Sequence, residues 1–194
     1  MWHTPWPPSK RCLPETVAII GAGPLGRWLA LSAARAGFRV LLEDVMPANL
    51  HHAQELLRHQ LGPEALPAVA FVSTIEDAVR EADLAIDCVP DELESKLEIF
   101  WLLDRMAPPR TVLATPTTRL SIADLANCTY RPDKCIAIAA EASSLAANAS
   151  SEILLRTTIR TSPETVALLD RFWRELGFTT TFAPDPAEQP APNL

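Results

Sequence analysis

Residues 17–26 constrain the fold of this chain more than any other stretch, because an apolar segment runs directly into a glycine-rich turn. Positions 17–20 are apolar and mostly β-branched, which predicts a buried strand of a parallel sheet. Gly21, Gly23 and Gly26 then give the spacing Gly-x-Gly-x-x-Gly, and an apolar pattern with helical periodicity follows. A strand, a glycine turn and a helix in this order predict a site for the pyrophosphate of a dinucleotide.

The residue types within this turn suit that role for separate reasons. Gly21 allows the tight turn, Gly23 lets a pyrophosphate approach the backbone, and Gly26 lets the helix pack closely on the strand. Pro24 fits the first helical turn, where its missing N–H has no effect on the helix. The remaining free N–H groups, at the positive end of the helix dipole, would hold the phosphates. The predicted cofactor contacts here are Gly21, Ala22, Gly23, Pro24, Leu25 and Gly26.

A carboxylate follows the second predicted strand, residues 38–42. Asp44 lies at about the distance from Gly26 at which a carboxylate accepts hydrogen bonds from the adenosine ribose. The same carboxylate would repel a 2′-phosphate, so we expect the cofactor to be NAD rather than NADP. The alternative is that Asp44 only caps the next helix.

Composition narrows the classes of partner. The 194 residues include 17 basic and 24 acidic ones, and the net charge of −7 argues against binding to nucleic acid or an anionic membrane. No apolar run approaches the ~20 residues of a membrane span, and the N-terminus lacks a secretory signal. The four cysteines form no Cys-x-x-Cys pair, which predicts a reduced, cytoplasmic protein. His51, His52 and His59 belong to no recognisable metal-ligand set, so we expect no metal site.

The chain divides into three predicted regions. Residues 1–15 form an irregular arm rich in proline and tryptophan, residues 16–182 form one α/β domain, and residues 183–194 form a proline-rich tail. The fourth strand should lie beside the first, where the sheet order reverses and ligands bind. The predicted strands are residues 17–20, 38–42, 68–72, 82–90, 111–115, 134–140, 152–158 and 178–182.

Several stretches in one order resemble the NAD-binding domain of 3-hydroxyacyl-CoA dehydrogenases. They are residues 21–27, 82–96, 120–126, 131–134 and 161–166. The resemblance implies a Rossmann-like, doubly wound α/β fold, with a mostly parallel sheet of about eight strands and helices on both faces. It also implies that NAD is the cofactor.

The resemblance assigns further residues to the cofactor. Asp91 and Lys96 match an acidic residue and a lysine near the nicotinamide half. Val89 and Pro90 lie in the matching segments, and Thr115 begins the turn 115–119, which stands where the family has Ser-Asn-Thr-Ser-Ser. All three are included among the expected cofactor contacts. The alternative for Asp91 and Lys96 is an exposed ion pair on a helix, which contributes little to stability.

The catalytic part departs from the family pattern. The family has a histidine that takes the hydroxyl proton and, about twelve residues later, a glutamate that orients it, but the histidine position is Ala139 here. No histidine occurs after His59. Glu152 can stand for the glutamate if one residue is inserted. A replacement base would be Glu152, Glu141 or a water molecule held by Thr118.

Two functions therefore stay open. The first is an NAD-dependent oxidoreductase that oxidises a 3-hydroxyacyl thioester or another small molecule. The second is a non-catalytic NAD(H)-binding sensor or assembly module.

A homodimer is a third expectation. In the family a helical C-terminal domain forms much of the acyl-CoA pocket and the dimer interface, and we expect this chain to lack it. Trp28 and Trp101, together with Trp2 and Trp6, would then build an apolar patch for a second copy. The alternative is that these are ordinary core tryptophans.

Overall fold

A computed structural model of the chain describes residues 15–140 and 151–188. In these residues eight strands form one sheet in the order β3-β2-β1-β4-β5-β6-β7-β8, and every neighbouring pair is parallel except β6 and β7. The predicted Rossmann-like fold class is confirmed. The strands are β1 (Thr16–Ile20), β2 (Arg39–Glu43), β3 (Val69–Val72), β4 (Leu84–Asp87), β5 (Val112–Pro116), β6 (Cys135–Ile138), β7 (Glu152–Thr157) and β8 (Thr179–Pro184).

Six α-helices connect these strands in the described residues. They are α1 (Pro24–Arg35), α2 (Pro47–Gln60), α3 (Ile75–Val79), α4 (Leu93–Met106), α5 (Ile122–Asn127) and α6 (Pro163–Glu175). No described helix has both the length and the apolar character needed to cross a membrane.

Strand β1 lies at the centre of the topology, as the sequence predicts. β2 pairs with one side of it and β4 with the other, so that Ile20 lies between Glu43 and Asp87 in register. The chain crosses from one side of β1 to the other between β3 and β4. This crossing opens a crevice at the carboxyl ends of the strands, where ligands bind in open α/β sheets.

The helices cover both faces of the sheet and bury a separate apolar core on each. Leu29 of α1, Leu57 of α2 and Trp173 of α6 are fully buried on one face. Phe100 of α4 and Leu125 of α5 are fully buried on the other. Each large apolar side chain buried in this way contributes about 1.5–3 kcal/mol to folding. The two cores hold the strand ends in fixed positions around the crevice.

The tryptophan patch expected from the sequence is wrong. Trp28 stacks on the buried Trp173, with ring centroids 6.4 Å apart, and so belongs to the core beneath α1 and α6. Trp101 is 48% exposed on α4, which covers the opposite face of the sheet. The two side chains therefore cannot share a surface. Trp2 and Trp6 lie outside the described residues.

Several helix boundaries differ from the predictions by a residue or more. The stretch 73–76 has the Ser-x-x-Glu pattern of a capping box and predicts a cap at Ser73, but the N-cap is Thr74, which accepts a hydrogen bond from the backbone N–H of Asp77. For α6 the sequence predicts a cap at Ser162 followed by proline, and this is confirmed, because Ser162 accepts from the backbone N–H of Thr165.

The buried face of α6 is rotated from the one that the apolar spacing predicts. The predicted face is Val166, Leu169, Trp173 and Leu176, and the observed one comprises Thr165, Leu169, Phe172 and Trp173.

The last strand is longer than predicted and continues into ordered structure. β8 runs to Pro184, and a short 3-10 helix follows at Pro186–Glu188. Between them Asp185 is fully buried. Its carboxylate accepts a hydrogen bond from the backbone N–H of Ile122 at the start of α5, and another from Ala187. This contact joins the end of the described chain to the start of α5. The predicted division at residues 15 and 182 stays a prediction.

Candidate functional site

The carboxyl ends of β1, β2, β4 and β5 surround one cleft of about 960 Å³. Its size is typical of a site for a small molecule or cofactor. Nine of the residues predicted for the site contribute to its wall: Gly21, Gly23, Pro24, Leu25, Asp44, Val89, Pro90, Asp91 and Thr118. The structure thus brings together positions that are up to about a hundred residues apart in the sequence.

The glycine turn has the geometry that its sequence demands. Gly21 has φ +103°, a conformation that L side chains rarely adopt. A Cβ on Gly26 would overlap the carbonyl oxygen of Gly21, so the helix packs on the turn as closely as predicted. A Cβ on Gly23 would meet no atom of the protein within 4 Å. The space beside Gly23 is therefore part of the cleft, where an occupant can approach the N-terminus of α1.

Asp44 holds the turn to the end of β2. Its Oδ2 accepts hydrogen bonds from the backbone N–H of Ala22 at 2.8 Å and from Nδ2 of Asn49 at 3.0 Å. Its Oδ1 accepts one from the backbone N–H of Met46 at 2.8 Å. Since a carboxylate has about four acceptor positions, these three bonds leave roughly one, on Oδ1. The alternative interpretation, that Asp44 caps the next helix, is wrong, because the N-cap of α2 is Met46 and no side chain caps it. Asp44 is instead a carboxylate in the cleft wall that ties the glycine turn to the end of β2.

A second acid beside Asp44 was not singled out from the sequence. Glu43, the last residue of β2, is only 5% exposed and also lines the cleft. Burial, with a smaller contribution from the charge of Asp44, raises the pKa of Glu43 to about 7. The sequence signal was the acid at the last position of a buried strand, next to the acid already chosen for the site.

Lys96 occupies a different position from the one expected. Its ammonium is fully buried beneath the loop that follows β4, and it donates to Oδ2 of Asp87 at 3.1 Å and to the Thr115 hydroxyl at 2.9 Å. It also donates to the carbonyl of Val89 at 3.3 Å. The alternative interpretation, an exposed Asp91–Lys96 ion pair, is therefore wrong. Neither Lys96 nor Thr115 lines the cleft, and both act on it through the loop that they hold.

Asp87 completes this buried group. The Thr115 hydroxyl donates to its Oδ2, and the backbone N–H of Val89 donates to its Oδ1 at 3.0 Å. Burial raises the pKa of Asp87, and the Lys96 ammonium and these hydrogen bonds act in the opposite direction. Burial also raises the pKa of the nearby Cys88 thiol, so this cysteine in the cleft wall stays neutral.

Asp91 also lines the cleft, and one of its carboxylate oxygens has no hydrogen-bond partner among the described residues. This oxygen, Oδ1, is buried. Its carbonyl oxygen accepts from Nη2 of Arg119 at 3.0 Å. Arg119 is the one cation in the cleft wall formed by the described residues, and sequence reasoning did not single it out. A buried acceptor without a donor suits a ligand that supplies hydroxyl groups.

The side of the cleft formed by β5 and β6 carries little chemistry among the described residues. Thr118 is exposed on the turn after β5, and Ala140, two residues after the end of β6, lines the cleft wall. Ala139 follows β6, and its backbone N–H donates to the carbonyl of Leu154 at 2.8 Å. Glu152 begins β7 at this edge but is not part of the cleft wall. Glu141 lies outside the described residues.

The arrangement fits a dinucleotide. The open space beside Gly23 admits a phosphate to the N-terminus of α1, and the acceptors of Asp44 and Asp91 stand on either side of it. Apolar side chains between them, including Val89, suit the flat rings of such a ligand. The described residues contain no group of three or more histidine, cysteine or acidic side chains able to hold a metal ion.

Comparison with known proteins agrees with this geometry. The family model described as 3-hydroxyacyl-CoA dehydrogenase, NAD binding domain, matches residues 16–183. The mitochondrial hydroxyacyl-coenzyme A dehydrogenase of Sus scrofa is 31% identical over 144 residues, which are 65% of this chain and 46% of that protein. The L-carnitine dehydrogenase of Burkholderia mallei is 36% identical over 132 residues, 63% of this chain and 41% of that protein. The chain thus spans less than half the length of these two relatives.

A solved structure supports the same assignment. The 3-hydroxybutyryl-CoA dehydrogenase of Escherichia coli K12 superposes with a TM-score of 0.78 at 27% identity, over 88% of this chain and 38% of that one. The matched region in the family model covers the whole sheet except the last residue of β8. The chain therefore belongs to the family of 3-hydroxyacyl-CoA dehydrogenase NAD-binding domains.

Proposed function

We propose that this chain binds NAD(H) in the cleft at the carboxyl ends of β1, β2, β4 and β5. NAD is the cofactor of its family. The backbone at Gly23 and the start of α1 would hold the pyrophosphate, and the remaining acceptor of Asp44 would take a hydroxyl of the adenosine ribose. The unsatisfied Oδ1 of Asp91 would take a hydroxyl at the nicotinamide end. The observation that carries the proposal is the open space beside Gly23 at the N-terminus of α1, because backbone N–H groups there can bind phosphate oxygens and no described atom lies within 4 Å of a Cβ built on Gly23.

The proposed reaction class is that of the family, the oxidation of a 3-hydroxyacyl thioester. The bound nicotinamide supplies the hydride acceptor. The protein must then orient the substrate hydroxyl and remove its proton. Thr118, exposed on the rim after β5, is placed to position a substrate oxygen or a water molecule. Glu141 and Glu152 stay the proposed bases. A carboxylate with an ordinary pKa is a weaker base for this step than an imidazole.

A second candidate function is an NAD(H)-binding module without turnover. The observation that favours it is Ala139, whose methyl group cannot take a proton from the substrate. Since the chain has no histidine after His59, no other imidazole from this region can replace it. Such a protein would bind NAD(H) through the same cleft and respond to the ratio of its two forms.

Calorimetric titration with NAD⁺, NADH and NADP⁺ tests the shared part of both candidates. We expect NAD(H) to bind more tightly than NADP⁺. Asp91→Asn should weaken NAD⁺ binding by about tenfold, as the loss of one charge-assisted hydrogen bond implies. Glu92→Gln, which changes the exposed acid next in sequence, is the matched control and should bind as the wild type does. The absence of binding by every dinucleotide would rule out both candidates.

Formation of NADH from NAD⁺ and 3-hydroxybutyryl-CoA then separates the two candidates. Turnover that depends on Thr118 would support the oxidoreductase, and binding without turnover would support the module. In the first case an acyl-CoA or other small molecule is the substrate.

Location and assembly are also proposals. Cys88, Cys128 and Cys135 carry free thiols, which suits a reducing compartment such as the cytoplasm. The homodimer expected from the family stays a prediction without the tryptophan patch as its interface. Analytical ultracentrifugation tests it, and a single monomeric species at high concentration would contradict it.

A further inference from the structure

Glu43 is the polar group of the cleft that the proposed cofactor contacts leave unexplained. It is 95% buried at the end of β2 and lines the cleft, yet its carboxylate accepts no hydrogen bond from the described residues. Neither carboxylate oxygen of Glu43 is an inaccessible atom without a hydrogen-bond partner, so the oxygens are not enclosed in the core. The carboxyl group therefore faces the space that a ligand would fill.

The charges around Glu43 come from one neighbour. In register, Ile20 of β1 and Val72 of β3 flank it, and Ile75 of α3 shares its part of the cleft wall. The acids of α3, Glu76 and Asp77, are exposed and paired with Arg80. The Cys88 thiol on the β4 side stays neutral. Asp44 is the charged group that acts on Glu43 in the described structure.

We propose that Glu43 is a second selectivity residue, which together with Asp44 disfavours a cofactor with an anionic substituent on its adenosine ribose. This inference rests on the proposed NAD(H) site and names a selectivity that Asp44 alone does not fully provide. The three donors on Asp44 already offset much of its charge. Glu43 accepts no such hydrogen bond from the described residues, so no local donor opposes the effect of its charge on a 2′-phosphate in the same pocket when the carboxyl is ionised.

The ionisation of Glu43 makes this selectivity dependent on pH. Its pKa of about 7 means that the carboxyl is largely neutral at about pH 6 and largely charged at about pH 8.5. Discrimination against NADP⁺ should therefore strengthen as the pH rises through 7. The 2′-phosphate itself titrates near pH ~6, so a variant without the Glu43 charge must be measured beside the wild type.

The test is the ratio of the dissociation constants of NADP⁺ and NAD⁺, measured by calorimetry at both pH values. At about pH 8.5 we expect Glu43→Gln to lower this ratio by roughly tenfold, the size of one charge–charge interaction in a partly solvated site. At about pH 6 the two proteins should differ by less than about threefold, because the wild-type carboxyl is then neutral. Glu43→Leu should behave like Glu43→Gln, and Glu92→Gln should leave the ratio unchanged.

Each outcome decides the inference. NAD⁺ binding with the same ratio in wild type and both Glu43 variants would overturn it and leave the proposed function intact. A ratio that falls equally at both pH values would also overturn it, since a shape effect would then replace the charge effect. No binding of NAD⁺ by the wild type would overturn the proposed function and this inference with it. Thermal melting of each variant establishes that the fold is retained.

Discussion

The two sides of the cleft differ in how much of their chemistry is built into the protein. On the side of β1, β2 and β4, Asp44 joins the glycine turn to β2, and Lys96 joins β4 to β5 through Asp87. On the side of β5 and β6, the described residues in the wall are small or exposed, and alanines follow β6. Both sides belong to the same sheet and have equally buried strands.

This difference shows that cofactor binding and catalysis depend on different features of one fold. The cofactor side uses backbone geometry and buried hydrogen bonds, which also stabilise the protein. On the other side the wall residues are small or exposed, and such residues can be replaced with little effect on folding. Substitutions of the groups that hold the first side together, such as Lys96 and Gly26, should therefore lower stability, whereas substitutions on the second side should leave stability nearly unchanged.

The largest expected effect tests the catalytic side. Ala139→His restores an imidazole at the family position and should raise the rate of NADH formation from 3-hydroxybutyryl-CoA by about 10²–10⁴-fold. Tyr130→His, at an exposed position outside the cleft wall, is the control and should give no such increase. Unchanged turnover in Ala139→His, with NAD⁺ binding intact, would favour the non-catalytic module.

On the cofactor side, Lys96→Met should lower the free energy of unfolding by about 3–5 kcal/mol, because it leaves the Asp87 carboxylate buried without its partner. Urea denaturation measures this. The double variant with Asp87→Leu should recover most of the loss. Glu81→Gln, which breaks an exposed pair with Arg39, should change stability by less than about 1 kcal/mol. Equal effects of the two single substitutions would contradict the distinction between the buried and exposed pairs.

The glycine turn allows folding and binding to be separated. Gly26→Ala should lower the free energy of unfolding by about 3 kcal/mol, since its Cβ would overlap the carbonyl oxygen of Gly21. Gly23→Ala meets no protein atom and should leave stability within about 1 kcal/mol, yet it should weaken NAD⁺ binding. Thermal melting and calorimetry on both variants check this. Unimpaired NAD⁺ binding by Gly23→Ala would remove the phosphate site from the turn.

The smallest expected effect is the dependence of stability on pH. The pKa of Glu43 is raised from 4.5 to about 7 by folding, so the native state holds its proton where the unfolded chain has lost it. This contribution is complete below pH 4.5 and is lost as the pH rises through 7. Because the carboxyl borders the open cleft, where solvent screens its charge, we expect the free energy of unfolding to fall by about 2 kcal/mol rather than by the ~3 kcal/mol that the full change in pKa corresponds to. Glu43→Gln should flatten the profile over this range. If the free energy of unfolding changed between pH 5 and 8 by the same amount in the wild type and in Glu43→Gln, the assignment would be contradicted.

The sequence predicted the fold well because its signals are local and agree with one another. Apolar β-branched runs, the glycine turn and the cap at Ser162 each specify their own element, and β4 lies beside β1 as expected. Boundaries were less accurate: the predicted strand over residues 82–90 is only Leu84–Asp87. The residues on either side of this strand are also apolar, so the sequence pattern does not show at which residue the pairing with the neighbouring strands begins and ends.

The site was predicted only in part, for a different physical reason. Spacing placed Lys96 on the first turns of a helix, but it did not show that the side chain points back under the loop to Asp87. Phe172 was missed in the buried face of α6, because Val166 and Leu176 fit the same helical period equally well. Such choices depend on the neighbouring elements, which a single sequence does not place in space.

The burial of Asp185 has a practical consequence for shortened versions of the chain. A stop codon after residue 182 would keep most of β8 and still remove the carboxylate that binds the first N–H of α5. That helix begins four residues after Thr118, so its fraying would loosen the rim of the cleft from a distant point in the sequence. A minimal fragment should therefore extend at least to residue 188. A tag or domain fused close to Asp185 could displace its carboxylate and so weaken the N-terminus of α5 beside the cleft.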